Sequence, residues 1–415
     1  MLSRSCVFVV LVCLVSMSRA EDWPEFRGPT GQGLSAEVGL PIEWSETKNV
    51  AWKQAVPGKG WSSPIVVGGK VYLTTAAPRG GDGKPEDLSL DALCLDAKSG
   101  RILWEQEVFR QDPKASPSIH GKNSHASSTP LIHGQRLFVH FGHQGTACLD
   151  LDGKVLWRNS ELKYAPVHGN GGSPIYFENL LLFSCDGGDK RFVAALEAST
   201  GKVAWQTERT GDAAKKFSFS TPLLIHVNDK PQLISAGSDV VCSYDPKTGR
   251  EIWRVRYDGY SVIPRPVFGH GLLFLSTSYN TPSLLAIRPD GEGDITSTNI
   301  TWSSRKAIPH TPSPLLVGDE LYLVSDNGQA SCVDAKTGKV HWQERLNANF
   351  SASPVYAEGR IYLQSEQGIG FVLQASKEFK QLAKNTLEAR TLASYAIAEG
   401  AIFLRTDKHL YRLQK

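Results

Sequence analysis

The chain has 415 residues, with 38 Gly and 23 Pro against 2 Met, and with 10 Trp and 12 Tyr. Short strands joined by tight turns fit that composition, whereas a coiled coil, a collagen and a disordered chain do not. The formal charge of +3 has no long basic stripe behind it, so nothing in the sequence points to nucleic acid as a partner.

Residues 1–20 read as a secretory signal peptide: Arg4, the apolar run VFVVLVCLV, then Ser18 and Ala20 as the small residues of a cleavage site. The apolar run is short for a membrane span, and Val10-Leu11-Val12-Cys13 lacks the small residues that precede a lipid-modified cysteine. An uncleaved N-terminal anchor is the alternative. The leader holds Arg4, Arg19 and no acid, so cleavage takes the totals from 45 basic and 42 acidic side chains to 43 and 42. The mature chain then has no transmembrane segment, and its expected location is periplasmic or extracellular, in soluble form, with envelope association open.

Residues 21–47 form a lead-in segment and 48–415 a repeat domain. KNVAWK at 48–53 looks like an outer strand bearing Trp52 without three predecessors. Next comes a recurrent strand-opening marker: SSP at Pro64, STP at Pro130, GSP at Pro174, STP at Pro222, a variant RP at Pro266, PSP at Pro314 and ASP at Pro354. After each marker the sequence reads as four short strands, with a DxxTG-type turn before the last. That last strand carries Trp104, Trp157, Trp205, Trp253, Trp302 or Trp342, and such a residue at a fixed depth reads as a packing lock between neighbouring sheets. Residues 376–386, SKEFKQLAKNT, look locally helical and lack the turn and the tryptophan. The final unit, from Ser394, has three strands, and Trp52 lies on the missing fourth.

Pairing the two ends closes a ring and removes an exposed sheet edge. The expected fold is therefore all-β: a single eight-bladed propeller of four-stranded antiparallel blades, closed between the N-terminal strand and the C-terminal blade. Seven blades is the competing count, because 365–395 is hard to register. Outside the leader, Cys94, Cys148, Cys185, Cys242 and Cys332 read as packed free thiols rather than a disulfide framework or metal cluster.

In such a blade, the loop leading into the first strand and the loop between strands two and three share one face. Insertions at 76–90 and 109–124 both enlarge that face. His120, Lys122, Asn123, His125, His168, Asn170, Arg265 and His310 all lie just before innermost strands there, and these eight are the ligand-binding candidates. His140 and His143 sit in a neighbouring loop; Trp61 stands at the entrance to an inner strand. Asp186-Gly187-Gly188-Asp189, Tyr279-Asn280 and Asp326-Asn327-Gly328 occupy loops between strands two and three. Bound metal is one use for the histidines, anionic-ligand binding a second and acid/base chemistry a third. No HExxH, paired CxxC or close carboxylate motif makes a catalytic assignment.

The repeated strand, ALD-type segment, TG turn and Trp resemble the pyrroloquinoline-quinone-like β-propeller superfamily over nearly all of 48–415. The chain is similar in size to the propeller subunit of the outer-membrane β-barrel assembly machinery, and DWPEFRGPTGQG resembles the opening of secreted planctomycete-type propellers. The enzyme branch of that superfamily implies a quinone held by a Trp platform and an adjacent-cysteine disulfide, with Ca²⁺ on Glu, Asn and Asp. This sequence has no adjacent cysteines and no complete calcium triad. The expected function is that of an exported, non-enzymatic scaffold or binding protein, without cofactor, recognising a protein, carbohydrate or other small ligand through one loop face. A quinone-dependent dehydrogenase-like enzyme working at the central channel is the alternative.

Overall fold

The computed structural model describes residues 21–79, 87–111 and 119–415. The expected signal peptide lies outside the described residues, as do the centres of the two insertions. The described strands form eight sheets in a closed ring, six of them built from four strands in chain order and antiparallel, one closed between the two ends of the chain and one extended by a parallel pair. Blades 1 to 7 begin at Ile65, Leu131, Ile175, Leu223, Val267, Leu315 and Val355. Blade 8 takes its three inner strands from 396–413 and its outermost strand from Val50–Ala55, with Gln54 opposite Leu410. The expected closure is thus present, and the count is eight.

Two readings are corrected. Residues Gln381–Thr386, expected to be helical, form the outer strand of blade 7; antiparallel pairing with Ile369–Gln374, rather than any alternation in QLAKNT, makes them a strand, tertiary context overriding local propensity. Blade 4 has five strands rather than four, because Gly293–Asp294 pairs in parallel with Trp253–Arg254. The added pair comes from the divergent segment before Trp302, so that insertion thickens the edge of its neighbour.

Each tryptophan-bearing outermost strand carries a register shift beside that residue, for example between the Cys94–Trp104 and Leu95–Ile102 pairs. Such a bulge twists the strand locally and re-aims a side chain. Trp104 thereby reaches blade 2, where its indole N–H donates to the carbonyl of Leu151 at 3.1 Å. Trp52, Trp157, Trp205, Trp302 and Trp342 make the same bond to the next blade, at 3.0 or 3.1 Å. The turn glycine completes the seat: a Cβ on Gly153, whose φ is +92°, would meet the Trp104 ring at 2.9 Å. Trp253 is the exception. It donates to Gln232 Oε1 at 2.9 Å, and the Gln232 amide donates onward to Pro289 O at 3.2 Å, so a glutamine relays the contact. All five cysteines outside the leader are buried free thiols, and Cys94, Cys148 and Cys332 each pair directly opposite a docking tryptophan.

A second set of bonds circles the axis. The residue just before an innermost strand's proline, with Ser394 before Tyr395 in the equivalent place of blade 8, sends its N–H to the hydroxyl of the equivalent residue one blade on at all positions but Thr221. Ser63 donates to Thr129, Thr129 to Ser173 and Ser173 to Thr221. Arg265 donates to Ser313, Ser313 to Ser353, Ser353 to Ser394, and Ser394 back to Ser63. These seven links run from 2.9 to 3.1 Å. The proline holds the preceding residue extended, which leaves its N–H available to a neighbouring blade. Arg265 has no hydroxyl to offer Thr221, and its Nε instead donates to Pro222 O at 3.0 Å.

The lead-in segment covers the opposite end of the axis from the large loops. Trp23 bridges to Val66 of blade 1, Pro24 O accepts from the N–H of Ile132 in blade 2, and the N–H of Ser35 donates to Tyr356 O in blade 7. Arg27 donates to Pro314 O at 2.8 Å, and Arg265 donates to Glu25 Oε1 at 3.1 Å and to Phe26 O at 2.7 Å. Gly28 at φ +77° lets the chain fold back over Trp23, whose ring lies 2.6 Å from where a Cβ would stand. The channel is therefore blind at this end.

Replacing Trp104 by Ala removes a large inter-blade contact and is expected to cost about 3 kcal/mol; urea denaturation should show a lower midpoint at unchanged slope, and Trp104→Phe should lose roughly 1 kcal/mol. A second expectation concerns pH. His140 is buried against Phe183, with Nδ1 2.8 Å from Thr146 Oγ1, and burial, with the neighbouring His143, lowers its pKa to about 4. The unfolded chain therefore binds a proton before the native state does. Stability contributed by neutral His140 is complete above the unfolded value near 6.5 and is lost as pH falls from there towards 4, by about 2 kcal/mol between pH 7 and 5. Asp91, raised to about 6 chiefly by burial, works in the opposite sense. Denaturation of His140→Asn at both pH values should show a smaller loss on acidification than the parent.

Candidate functional site

Above the blind end, the axis opens into a cup of about 300 Å³ on the large-loop face. The ring hydroxyls of Ser63, Thr129, Ser173, Thr221, Ser313, Ser353 and Ser394 line it, and Phe26 of the lead-in lines it with them. The wall carries Trp61, Phe217, Phe219, Tyr260 and Tyr279, with His120, Lys122, Asn123 and His168. Among the described residues, no Asp or Glu lines the cup.

The rings form an arc in which neighbours meet edge to face or at a tilt. His120 meets His168 at 5.8 Å, His168 meets Phe217 at 5.2 Å, and Phe217 meets Tyr260 at 6.0 Å. Tyr260 then meets Tyr279 at 6.1 Å, and Tyr279 meets His310 at 4.8 Å. Contacts of this kind hold each ring against its neighbours. The arc covers blades 2 to 6.

The remaining side is spanned by residues 119–125. This segment is anchored beside blade 3, where Asn123 Nδ2 donates to His168 O at 2.8 Å and the N–H of His120 donates to the same carbonyl at 3.2 Å. Towards blades 7 and 8, Lys122 Nζ pairs with Glu366 Oε1 at 2.7 Å, and Arg390 donates to Gly121 O at 3.2 Å. The Arg390 guanidinium also lies 5.6 Å from the Trp61 ring. Glu366 accepts a further bond from Ser351 at 2.6 Å, so its charge is answered by Lys122 and by a hydroxyl.

Of the eight candidate residues, His120, Lys122, Asn123 and His168 come together on the cup wall. His168 holds φ at +63°, an uncommon conformation for a side-chain-bearing residue. His125 lies beside the cup rather than on its wall, and burial lowers its pKa. Asn170 is buried in the second layer, donating to Phe141 O at 3.3 Å and accepting from Tyr164 at 3.1 Å. His310 reaches the arc only through Tyr279. Arg265 does not open into the cup: it is 2% exposed and held by Glu25 and Phe26, because the lead-in packs over the axial position that its marker occupies.

Other loop residues divide similarly. Tyr279 and Trp61 line the cup, whereas Asp186 is bound to Arg209 at 2.8 Å with both side chains buried. Asp326 accepts from the N–H of His310 at 2.7 Å and shapes the rim. Phe26, Phe217, Phe219, Tyr260 and the ring hydroxyls had no place among the candidates. Their signal was present in the marker itself, since a Ser or Thr precedes Pro64, Pro130, Pro174, Pro222, Pro314 and Pro354.

A family model described as outer membrane protein assembly factor BamB matches residues 34–159, 87–217, 189–305 and 292–405. The protein of that name from Burkholderia pseudomallei is 32% identical over 107 residues, covering 26% of this chain and 27% of that one. Methanol dehydrogenase [cytochrome c] subunit 1 of Methylorubrum extorquens is 28% identical over 202 residues, 48% of this chain and 23% of that one. These two matches therefore span about a quarter of each curated relative's own length. The crystal structure of BamB from Moraxella catarrhalis superposes with a TM-score of 0.60 at 13% identity, over 85% of this chain and 94% of that one, a likeness of fold. With successive, overlapping matches running from 34 to 405, the chain belongs to the PQQ-like propeller family described as outer membrane protein assembly factor BamB.

Proposed function

We propose that this protein is an exported, non-enzymatic binding propeller that takes its ligand into the cup on the large-loop face. The observation that carries the reading is a blind axial cavity with five aromatic side chains on its wall, four of them braced by ring–ring contacts and Trp61 by the Arg390 guanidinium, beneath the 119–125 strap. A concave, mainly apolar site with a few convergent polar groups is the usual form of a ligand site. The leader read from residues 1–20 supports a periplasmic or extracellular location.

The quinone-enzyme alternative needs Ca²⁺ beside the cofactor, and Ca²⁺ takes carboxylate and carbonyl oxygens. No carboxylate faces this cup among the described residues, and the sequence has no adjacent cysteines to form the disulfide platform. The donor set does not fit that group. A second reading, recognition of a protein segment by the same face, is favoured by membership of a family described as assembly factors.

Calorimetric titration of the mature chain against a panel of small acids, amides and sugars tests the proposal. At least one compound should bind with a dissociation constant below about 1 mM, and Trp61→Ala combined with Phe217→Ala should weaken it by tenfold or more, roughly 1.4 kcal/mol. Binding unaffected by those changes overturns the reading, as does dye-linked alcohol oxidation on addition of pyrroloquinoline quinone and Ca²⁺. A protein partner recovered by the parent chain and lost with the same double substitution would favour the second reading over the small-ligand form.

A further inference from the structure

The bottom of the cup has an unusual balance of donors and acceptors. Ser63, Thr129, Ser173, Thr221, Ser313 and Ser394 are each 2 to 5% exposed and line the cavity. Each hydroxyl accepts the N–H of the preceding blade's ring residue. A hydroxyl carries one donor as well as its acceptor lone pairs, and none of these six donates to any protein group among the described residues. Ser353 differs, because it donates to Ser313 at 3.0 Å. Six buried O–H groups are therefore left to satisfy from within the cavity, and a buried polar group without a partner is costly.

The charge around this floor has one sign in excess. Beneath it, Arg27 and Arg265 are both buried, and Glu25 is the carboxylate paired with Arg265. Arg27 donates through Nη2 to two carbonyls, while its Nε and Nη1 have no partner among the described residues. Burial and the adjacent Arg265 charge lower Arg27 to about 9, which leaves it cationic at neutral pH. At the rim Lys122 is paired with Glu366, and His120 and His168 stand beside it; among the described residues no acid lines the wall between rim and floor. A neutral sugar presents many hydroxyl donors of its own and is best met by carboxylate and amide acceptors. An oxygen anion needs what this floor supplies, which is convergent donors in a positive, desolvated setting.

We propose that the axial hydroxyl ring is an oxyanion receptor, so that the cup takes a small organic carboxylate, carboxylate inward and apolar body against the aromatic arc. This inference rests on the cup being the binding site and adds the chemical class of its ligand. The ring hydroxyls then have two roles. Their lone pairs tie each blade to its neighbour, and their protons hold the ligand.

The test uses 2-naphthoate and its neutral counterpart 2-naphthamide as probes of the mature chain, with methyl glucoside as a third. Naphthoate should bind at least tenfold more tightly than naphthamide, and the glucoside more weakly than either. Thr129→Val and Thr221→Val keep side-chain shape and remove the O–H; each should reduce naphthoate affinity fivefold or more while leaving naphthamide within twofold. Thr129→Ser should restore the parent preference. Each valine also leaves one neighbouring N–H unanswered, so denaturation midpoints accompany the titrations and Thr129→Ser serves as the folded reference. Equal binding of acid and amide, with both lost in Trp61→Ala combined with Phe217→Ala, would overturn the receptor assignment and leave the cup reading intact. Failure of naphthoate to bind would overturn it too, and the wider compound panel then decides separately whether the cup binds anything.

Discussion

Eight sheets that radiate from an axis crowd each other where their innermost strands meet, and every one of those strands has an unpaired edge. The N–H groups on that edge cannot be left in a buried place without a partner. In this protein a hydroxyl on the next blade answers all but one of those at the ring position; at the exception the two blades are tied instead by the Arg265 guanidinium, which donates to the Pro222 carbonyl. The bond geometry fixes the spacing of neighbouring blades at the narrow end, while the tryptophan bonds at the outer strands fix it at the wide end. Blades clamped at both radii have little freedom to splay. The position of every loop around the mouth follows from that.

The same arrangement explains why so much of the architecture was legible in the chain. Turn glycines, docking tryptophans and strand-opening prolines recur because each solves a local problem that all the blades share. Trp52 could be assigned to the last blade because its strand had no predecessors and the final unit had no successor. Elements answering to a single neighbour were harder to read. Gln381–Thr386 carries no tryptophan, and its surface-like composition resembled a helix; only pairing with Ile369–Gln374 makes it a strand. The fifth strand of blade 4 depends on a parallel contact that no repeat encodes.

The candidate site divides along similar lines. His120, Lys122, Asn123 and His168 were found because they stand just before innermost strands on the large-loop face, and they do reach the cup. Arg265 stands in the same place in its unit, yet it is taken up by Glu25, 240 positions away in sequence. Phe26 belongs to the segment DWPEFRGPTGQG, whose packing under the axis is invisible until the ring is closed. The hydroxyls were present in six of the seven markers, but a repeated Ser or Thr reads as structure, and its spare proton becomes apparent only when each bond partner is known.

Arg265 also bears on symmetry. A ring of eight like blades with a hydroxyl at each axial position would look the same to a ligand after every eighth of a turn. A molecule bound on such an axis has no preferred rotation, and choosing one of eight orientations costs about RT ln 8, near 1.2 kcal/mol. The single position where the hydroxyl is replaced, together with a strap tied down on one side of the mouth, removes that degeneracy before anything binds. A fold built by repetition thereby gains a site with a front and a back, which is what discrimination between similar molecules requires.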